Sequence, residues 1–221
     1  LDLSPLEMNV ADIARTLRAK LTTAVDSMTK ADEKTAVLLS GGIDSASVAA
    51  ILREYKAGVT GYTLDCGGKD LKNAKKVAKN LGISLKVITV RKKDMKSVSL
   101  TEMIRCAEEY RPFVVDNVPG FYFLGRAACE DGITAMFTGS GANELFGDYY
   151  PSGDYDVPLC RNATPAQRKL LIEGRKPDDP LYNKVLGSGL DRYGSTFVKV
   201  LMHFGIESRE PVREQPDMRH Q

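Results

Sequence analysis

The chain has 221 residues, enough for one domain with a substantial hydrophobic core. Its 31 basic side chains nearly balance its 29 acidic ones, so the overall electrostatic field is weak and a large nucleic-acid footprint is not expected. No apolar run approaches the ~20 residues that cross a bilayer, and the first ten residues do not resemble a secretory leader. We therefore expect a soluble, cytoplasmic protein with small-molecule or protein partners.

An amphipathic helix is predicted over residues 1–30. Its apolar side chains recur at steps of three and four, at Leu6, Val10, Ile13, Leu17, Leu21, Val25 and Met28. Short apolar runs follow, separated by helical or mixed sequence, at 35–39, 59–64, 85–90 and 134–138. Strands that alternate with helices predict an α/β fold with a doubly wound, mostly parallel sheet.

A lysine-rich helix is predicted between the second and third strands. Asp70 is expected to cap its N-terminus, and Gly82 stands where a helix commonly ends in a left-handed residue. The lysines between these two residues are interpreted as a solvated helix face. They are not expected to form a binding surface.

The four cysteines are widely scattered and form no CxxC pair. This spacing argues against a zinc knuckle or a redox pair. Buried free thiols are therefore expected at Cys66, Cys106, Cys129 and Cys160.

Residues 146–221 are predicted to be loop-rich and then helical. Turn residues concentrate at 147–158 and 174–180, with a helix expected between them over 164–174. A last helix is predicted over 190–204, closed by Gly205. His203, in its last turn, is interpreted as a structural histidine.

The stretch AVLLSGGIDSASVAAIL joins the first strand to a helix through a glycine-rich turn. Such a turn lies at the carboxyl end of a parallel strand, where open α/β sheets bind ligands. Gly41 and Gly42 permit positive φ angles and let an anion approach the amides of the helix N-terminus. Ser40 and Ser45 add hydroxyl donors, and Asp44 would repel a phosphate unless Mg²⁺ stood between them. The pattern predicts a polyphosphate site with Mg²⁺.

Simpler interpretations of this turn stay open. Gly-Gly between a strand and a helix is often only a tight turn, and an Asp near a helix start is often only a cap. The turn also lacks the lysine of the GxxxxGK[ST] P-loop and the spacing of GxGxxG. An ordinary nucleoside triphosphatase or a dinucleotide site is therefore disfavoured.

Three segments carry a family resemblance. SGGIDS resembles the SGGxDS signature of the ATP pyrophosphatase (PP-loop) superfamily, whose members cleave ATP between the α and β phosphates to adenylate a substrate. TGSGANELFGDYY, at 138–150, resembles the GxGxDELFGGY segment of asparagine synthetases. GLDRYGSTFVKVLMHFGIESREPV, at 189–212, is similar to their segment that ends in GxExRxPF. The resemblance implies an adenine nucleotide alpha hydrolase-like fold in one domain, with a nucleotide-binding core over 35–145.

The resemblance implies ATP and Mg²⁺ as cofactors. The glycine-rich turn would hold the pyrophosphate part of ATP, with Asp44 on Mg²⁺. Backbone groups of the first two strands and their ends, including the stretch from Tyr62 to Leu64, would read adenine. The ATP-binding residues expected are Leu38, Leu39, Ser40, Gly41, Gly42, Asp44, Ser45, Thr63, Leu64 and Gly139.

The segment after the strand at 134–138 should face the phosphate turn. Its backbone amides would then meet the substrate or its adenylate, although a mere strand-to-helix turn is the alternative. Glu144 matches a family glutamate that would orient a cation or a metal-bound water, and a carboxylate stabilised by a helix N-terminus is an equal alternative. Arg209 matches a family arginine near the site, and an ion pair with Glu207 or Glu210 stays open. The substrate residues expected are Ser140, Gly141, Asn143, Glu144 and Arg209, with Asp44 and Asn143 as metal ligands.

The reaction implied by the resemblance has two steps. A carboxylate attacks the α-phosphorus to give an acyl-adenylate and pyrophosphate, and an amine then displaces AMP to form an amide. The implied partners are a small-molecule carboxylate and an amine or ammonia. A separate glutaminase chain and a homo-oligomer are further candidates, and no membrane association is expected.

The chain departs from the asparagine synthetase pattern in ways that bear on the product. Ser140 and Asn143 stand where the family has a glutamate, tied to amide formation, and an aspartate, tied to magnesium. The sequence ends soon after Pro211, without the downstream segment that carries a family lysine, and shows no N-terminal glutaminase domain. We therefore expect ATP binding without efficient asparagine synthesis.

Two other interpretations remain. Another enzyme of the superfamily, NAD synthetase-like or sulfur-inserting, would share SGGIDS. ANELFGDYY and GIESREP suit the first poorly, and the second usually needs well-placed cysteines. An accessory or degenerate subunit that binds ATP without synthesis is the other alternative, favoured by the missing carboxylates at 140 and 143.

Overall fold

The computed structural model describes residues 9–31, 33–65, 67, 70–108, 110, 118–142 and 195–212. Several sequence predictions lie outside these residues. They are the helix at 164–174, the turns at 147–158 and 174–180, and the residues Leu6, Cys66, Cys160, Asn143 and Glu144.

The described elements form one parallel sheet flanked by helices. In chain order they are α1 (Val10–Met28), β1 (Thr35–Leu38), α2 (Ile43–Tyr55), β2 (Thr60–Asp65), α3 (Asp70–Leu81), β3 (Ser84–Thr89), α4 (Lys92–Met95), α5 (Leu100–Ala107), α6 (Val118–Glu130), β4 (Ala135–Phe137), α7 (Ser195–His203) and β5 (Glu207–Arg209). The strand order is β3-β2-β1-β4-β5, with every pairing parallel. The predicted α/β fold and its four strands are confirmed, whereas β5 was not predicted.

Both faces of the sheet are covered by helices. Val37 and Phe137 point to one face, in a core shared with α1, α2 and α3. Ala36 and Met136 point to the other, in a core shared with α6 and α7. Strands that are buried on both faces read as continuous apolar runs, which explains why these runs were visible in the sequence. The sheet is therefore doubly wound, as predicted.

Three of the helices end in the same way before a strand begins. α3, α6 and α7 are each followed by a glycine with a positive φ of 65° or 73° and then by an isoleucine. The isoleucine amide donates to the carbonyl five residues earlier, which closes the helix in a Schellman-type turn. The pairs are Gly82-Ile83, Gly132-Ile133 and Gly205-Ile206. The helix ends predicted at Gly82 and Gly205 are confirmed.

α1 packs on the sheet only through its second half. Asn9 caps the helix, because its side chain accepts a hydrogen bond from the Asp12 amide at 2.9 Å. Val25 is fully buried, whereas Val10 and Ile13 are 83% and 47% exposed. The predicted apolar stripe is present, but among the described residues only its C-terminal half is buried against the rest of the fold.

Other predictions for single residues had mixed outcomes. Asp70 is the first residue of α3 and not its cap. Cys106 is a buried free thiol whose pKa is raised to about 11, chiefly by burial, but Cys129 is exposed, so its predicted burial is wrong. His203 Nε2 lies 3.5 Å from Glu102 Oε1, a contact between α7 and α5 that fits a structural histidine.

A polar network ties β2 and β3 to the connection between α6 and β4. The Tyr62 hydroxyl and the Lys86 ammonium each donate to Asp131 Oδ2 at 2.5 Å. The hydrogen bond from Lys86, followed by that from Tyr62, lowers the pKa of Asp131. Burial is the main cause that raises the pKa of Tyr62. The network is therefore strongest while Asp131 is ionised and Tyr62 is not.

We expect Asp131→Asn to destabilise the protein more at neutral pH than in acid. Because the folded-state pKa lies below the ordinary value of 3.8, the stabilisation is complete above that value and is lost as the pH falls through the folded pKa. Urea unfolding at about pH 7 and about pH 3 should show the difference from wild type shrinking in acid. The exposed Asp26→Asn change on α1 is the control. An Asp131→Asn deficit independent of pH would contradict the expectation.

Candidate functional site

The candidate site lies beside β1, where the order of the strands across the sheet reverses direction. From β1 the sheet continues to β2 and β3 on one side, and to β4 and β5 on the other. Open α/β sheets bind ligands at such a switch point, outside the carboxyl ends of the strands. Two turns leave the sheet here, at 39–42 after β1 and at 138–141 after β4.

Two serine hydroxyls shape the turn after β1. The Ser40 amide donates to Ser45 Oγ at 3.3 Å, and the two hydroxyl oxygens lie 3.0 Å apart. The Gly42 amide donates to Ser40 Oγ at 3.3 Å, and Ser45 Oγ donates to the Gly42 carbonyl at 3.2 Å. The hydroxyls predicted to meet phosphate oxygens thus hold the turn itself in shape.

The N-terminus of α2 opens directly from this turn. Gly42 is its cap residue in an extended conformation and, being glycine, makes no side-chain capping hydrogen bond. The first intrahelical hydrogen bond runs from the Ala46 amide to the Gly42 carbonyl, so the preceding amides have no carbonyl within the helix. These amides and the helix dipole favour an anion. The arrangement fits phosphate oxygens.

Two glycines allow three segments to meet at the start of α2. Gly41 has a φ of +84°, and a Cβ there would lie 2.4 Å from the Ala74 amide nitrogen of α3. A Cβ at Gly139 would lie 2.6 Å from the Ser45 amide nitrogen. Only glycine permits approaches this close. The turn after β4 therefore faces the start of α2, as the sequence predicted.

The part played by α3 was not predicted. Gly41 packs against Asn73 and Ala74 in the first turns of this helix. The small residues Ala74 and Ala78 on the buried face of α3 were a sequence signal for close packing. That signal did not say which segment of the chain would approach.

The turn after β4 is tied to its neighbours through the backbone. The Thr138 amide donates to the Arg209 carbonyl of β5 at 2.9 Å, and the Ser140 amide donates to the Thr138 hydroxyl at 3.1 Å. Gly141 adopts a positive φ of 94°. The roles predicted for Asn143 and Glu144 lie outside the described residues.

The strand ends predicted to read adenine border the same crevice. The Leu39 amide is used within the sheet, because it donates to the Tyr62 carbonyl at 2.8 Å. β1 ends at Leu38, while β2 continues beside β3 to Asp65. The backbone N–H and C=O groups of successive residues in a strand point alternately toward its two neighbouring strands. The backbone groups of Leu64 therefore point the same way as those of Tyr62, but into the space beyond the end of β1. Thr63 lies between them with its side chain buried.

The Arg209 side chain is directed away from the glycine-rich turn. Its guanidinium donates to the Met28 carbonyl at the end of α1, and it pairs with Glu33 at 2.6 Å and Glu207 at 2.9 Å. Glu33 precedes β1, so these contacts lie toward the amino end of that strand. The ion pair with Glu207 is confirmed. The described contacts of the Arg209 side chain do not include the turn.

Asp44 is the described carboxylate at the predicted metal position, partly buried in the first turn of α2. No cluster of three metal-binding side chains occurs among the residues that the structure describes. Mg²⁺ in nucleotide sites usually takes one or two protein carboxylates and completes its shell with phosphates and water. A single aspartate next to a phosphate cradle fits that mode.

The fold and the uncapped glycine-rich turn at its switch point define an ATP-using α/β protein of the PP-loop class. The asparagine synthase family model matches residues 16–189, and the chain belongs to this family. None of the helices in the described part of the chain is long and apolar enough to span a membrane.

Individual relatives differ in their named activities. The chain is 33% identical to tRNA-specific 2-thiouridylase MnmA of Rickettsia akari over 148 residues, 59% of this chain and 39% of that protein. It is 28% identical to asparagine synthetase B (glutamine-hydrolyzing) of Escherichia coli over 163 residues, 67% of this chain and 29% of that protein. NMN synthetase from Francisella tularensis aligns with a TM-score of 0.48 and 14% identity, over 86% of this chain and 97% of that one. The chain spans about two fifths or less of the length of the thiouridylase and of asparagine synthetase B.

Proposed function

We propose that this enzyme uses ATP and Mg²⁺ to adenylate a carboxylate, with release of pyrophosphate, and then transfers the acyl group to an amine with release of AMP. The observation that carries the proposal is the uncapped N-terminus of α2 at the switch point, enclosed by Gly41 and Gly139. Membership of the asparagine synthase family supports amide formation as the second step.

Each described group has a distinct task in this scheme. The amides at the start of α2 bind the pyrophosphate part of ATP, and the hydrogen-bonded pair Ser40 and Ser45 keeps them in place. Asp44 would hold Mg²⁺, and the ion would supply positive charge to offset that of the leaving pyrophosphate. The turn at 138–141 would meet the acyl group through backbone amides other than those of Thr138 and Ser140, which are already hydrogen-bonded. Catalysis then depends on positioned charge more than on proton transfer.

The substrates proposed are a small-molecule carboxylate and ammonia or another amine, in the cytoplasm. The amine could be supplied by a separate glutaminase chain. Ser140, at the position of a family glutamate, offers a hydrogen bond but no charge, so asparagine is not the favoured product.

A second candidate is sulfur insertion after adenylation of an RNA base, because a relative at 33% identity is named a tRNA 2-thiouridylase. That chemistry needs a thiol near the adenylate. Cys106 is buried and has a pKa of about 11. Cys129 lies near the C-terminus of α6, which leads into the amino end of β4, the end of the sheet opposite the crevice. Neither described cysteine is therefore placed to supply that thiol, and Cys66 and Cys160 lie outside the described residues.

We expect labelled pyrophosphate to exchange into ATP only when the correct carboxylic acid is present. Exchange reports adenylation without requiring the amine, so a panel of acids, including aspartate, identifies the acceptor. AMP and pyrophosphate should be the nucleotide products, because the turn lacks the lysine that a P-loop aims at the β and γ phosphates. ADP as the main product would refute the proposal. Adenylation of unmodified tRNA in place of every acid would favour the second candidate.

A further inference from the structure

Basic residues are concentrated between the start of α3 and the end of α4. Residues 70–96 contain nine lysines and arginines and two aspartates, a net charge of +7, although the whole chain carries only +2. The other 194 residues together carry −5. The near neutrality of the chain therefore hides a strong local asymmetry, a pattern typical of a surface for an anionic partner.

The lysines of α3 lie on one face of the helix. Its buried residues Ala74 and Ala78 face the sheet, whereas the lysines are exposed on the opposite side. We define the α3 lysine face as Lys72, Lys75, Lys76 and Lys79. The exposed side chains of Lys93 in α4 and of Lys96, just after that helix, extend the basic region. Both follow β3, the edge strand of the described sheet next to α3.

The α3 lysine face is not neutralised by carboxylates among the described residues. Several basic side chains elsewhere have acidic partners, as in the pairs Arg18–Glu54, Lys86–Asp131 and Lys199–Glu108. No ion pair within the described residues involves the four lysines of this face. Within the described part of the chain, their positive charge is therefore available to a ligand.

The face begins beside the phosphate-binding turn. Gly41 packs against Asn73 and Ala74, so Lys72 adjoins the point where α3 meets the turn. From Lys72 to Lys79 the row extends over about 10 Å of helix, given a rise of about 1.5 Å per residue. An extended polyanion laid on this row would reach the edge of the crevice.

We propose that the α3 lysine face binds the phosphodiester backbone of a nucleic acid. Lysine and asparagine are common phosphate contacts, and exposed Asn73 and Asn80 flank the lysines. A membrane is disfavoured because the apolar face of α3 is packed on the sheet and has nothing to insert. A protein partner is disfavoured because interface cores are depleted in lysine and the face carries no aromatic side chain. The binding does not depend on which acid is adenylated.

The test is fluorescence anisotropy with a labelled single-stranded RNA of about 20 nucleotides and with DNA of the same sequence. At near-physiological salt we expect a Kd of about 10⁻⁴ to 10⁻⁶ M, and a slope of about −3 for log K against log salt from four lysines. The triple variant Lys75→Glu, Lys76→Glu and Lys79→Glu should bind at least about tenfold more weakly, with a slope smaller by about 2. The RNA and DNA arms show which backbone is preferred.

A matched variant separates local binding from total charge. Arg15→Glu, Arg53→Glu and Lys199→Glu change the net charge equally but lie on α1, α2 and α7, so this variant should keep most of the affinity. Equal losses in the two triple variants would overturn the proposal. So would tighter binding to phosphatidylserine vesicles or polyglutamate than to either nucleic acid. ATP binding, measured in parallel, should be unchanged in the lysine variant, which keeps this test separate from that of the adenylation site.

Discussion

Gly41→Ala should weaken ATP binding by at least about 100-fold, a free-energy change of about 2.8 kcal/mol. Two costs combine at this position. A φ of +84° costs an L-residue about 1–2 kcal/mol. The new Cβ would also lie 2.4 Å from the backbone nitrogen of Ala74, so α3 and the turn would have to separate. The amides at the start of α2 would then lose their geometry. Isothermal calorimetry with ATP and Mg²⁺ measures the effect.

Two further variants isolate the cause. Gly58 has a φ of +72°, and a Cβ added there would have nothing within 4 Å, so Gly58→Ala shares the backbone cost without the collision. We expect it to lose about 1–2 kcal/mol of stability and to bind ATP normally. Gly139→Ala places a Cβ 2.6 Å from the Ser45 amide nitrogen and should impair binding through contact alone. Equal ATP affinity in Gly41→Ala and Gly58→Ala would show that the glycine-rich turn is not part of the ATP site.

Asp44→Asn should lower Mg²⁺-dependent pyrophosphate exchange by about 10²- to 10³-fold, the range seen when one electrostatic group of an active site is removed. Asparagine keeps the shape and the helix position of the aspartate but lacks its charge. The loss should therefore fall on Mg²⁺-assisted turnover more than on folding. Exchange measured over a series of Mg²⁺ concentrations should show a higher half-saturating concentration for the variant.

Asp26→Asn is the matched control for Asp44→Asn. Asp26 is also a helical aspartate, but it is exposed near the end of α1, away from the turn. Its replacement should leave both the rate and the Mg²⁺ dependence unchanged. If the two variants gave superimposable Mg²⁺ curves, Asp44 would not be a metal ligand.

Sequence patterns sufficed for features that depend on neighbouring residues. The runs at 35–39 and 134–138 were recognisable as strands, because a strand buried on both faces is largely apolar. Gly82 and Gly205 marked helix ends, because a left-handed residue terminates a helix locally. The Ser-Gly-Gly turn after β1 was located by the same kind of local evidence, and its family resemblance gave the class of enzyme.

The tertiary structure decided what depends on residues far apart in the chain. β5 has only three residues, too few for a periodic signal, and it exists because β4 is there to pair with it. The Arg209 side chain turns toward Glu33, which lies 176 positions earlier, and the sequence could not rank this partner against others. The approach of α3 to Gly41 likewise follows from the packing of α3 on the sheet. Local propensity determines most helices and strands. Which of their surfaces meet depends on burial and hydrogen bonding over the whole fold, and these contacts form only when the chain folds.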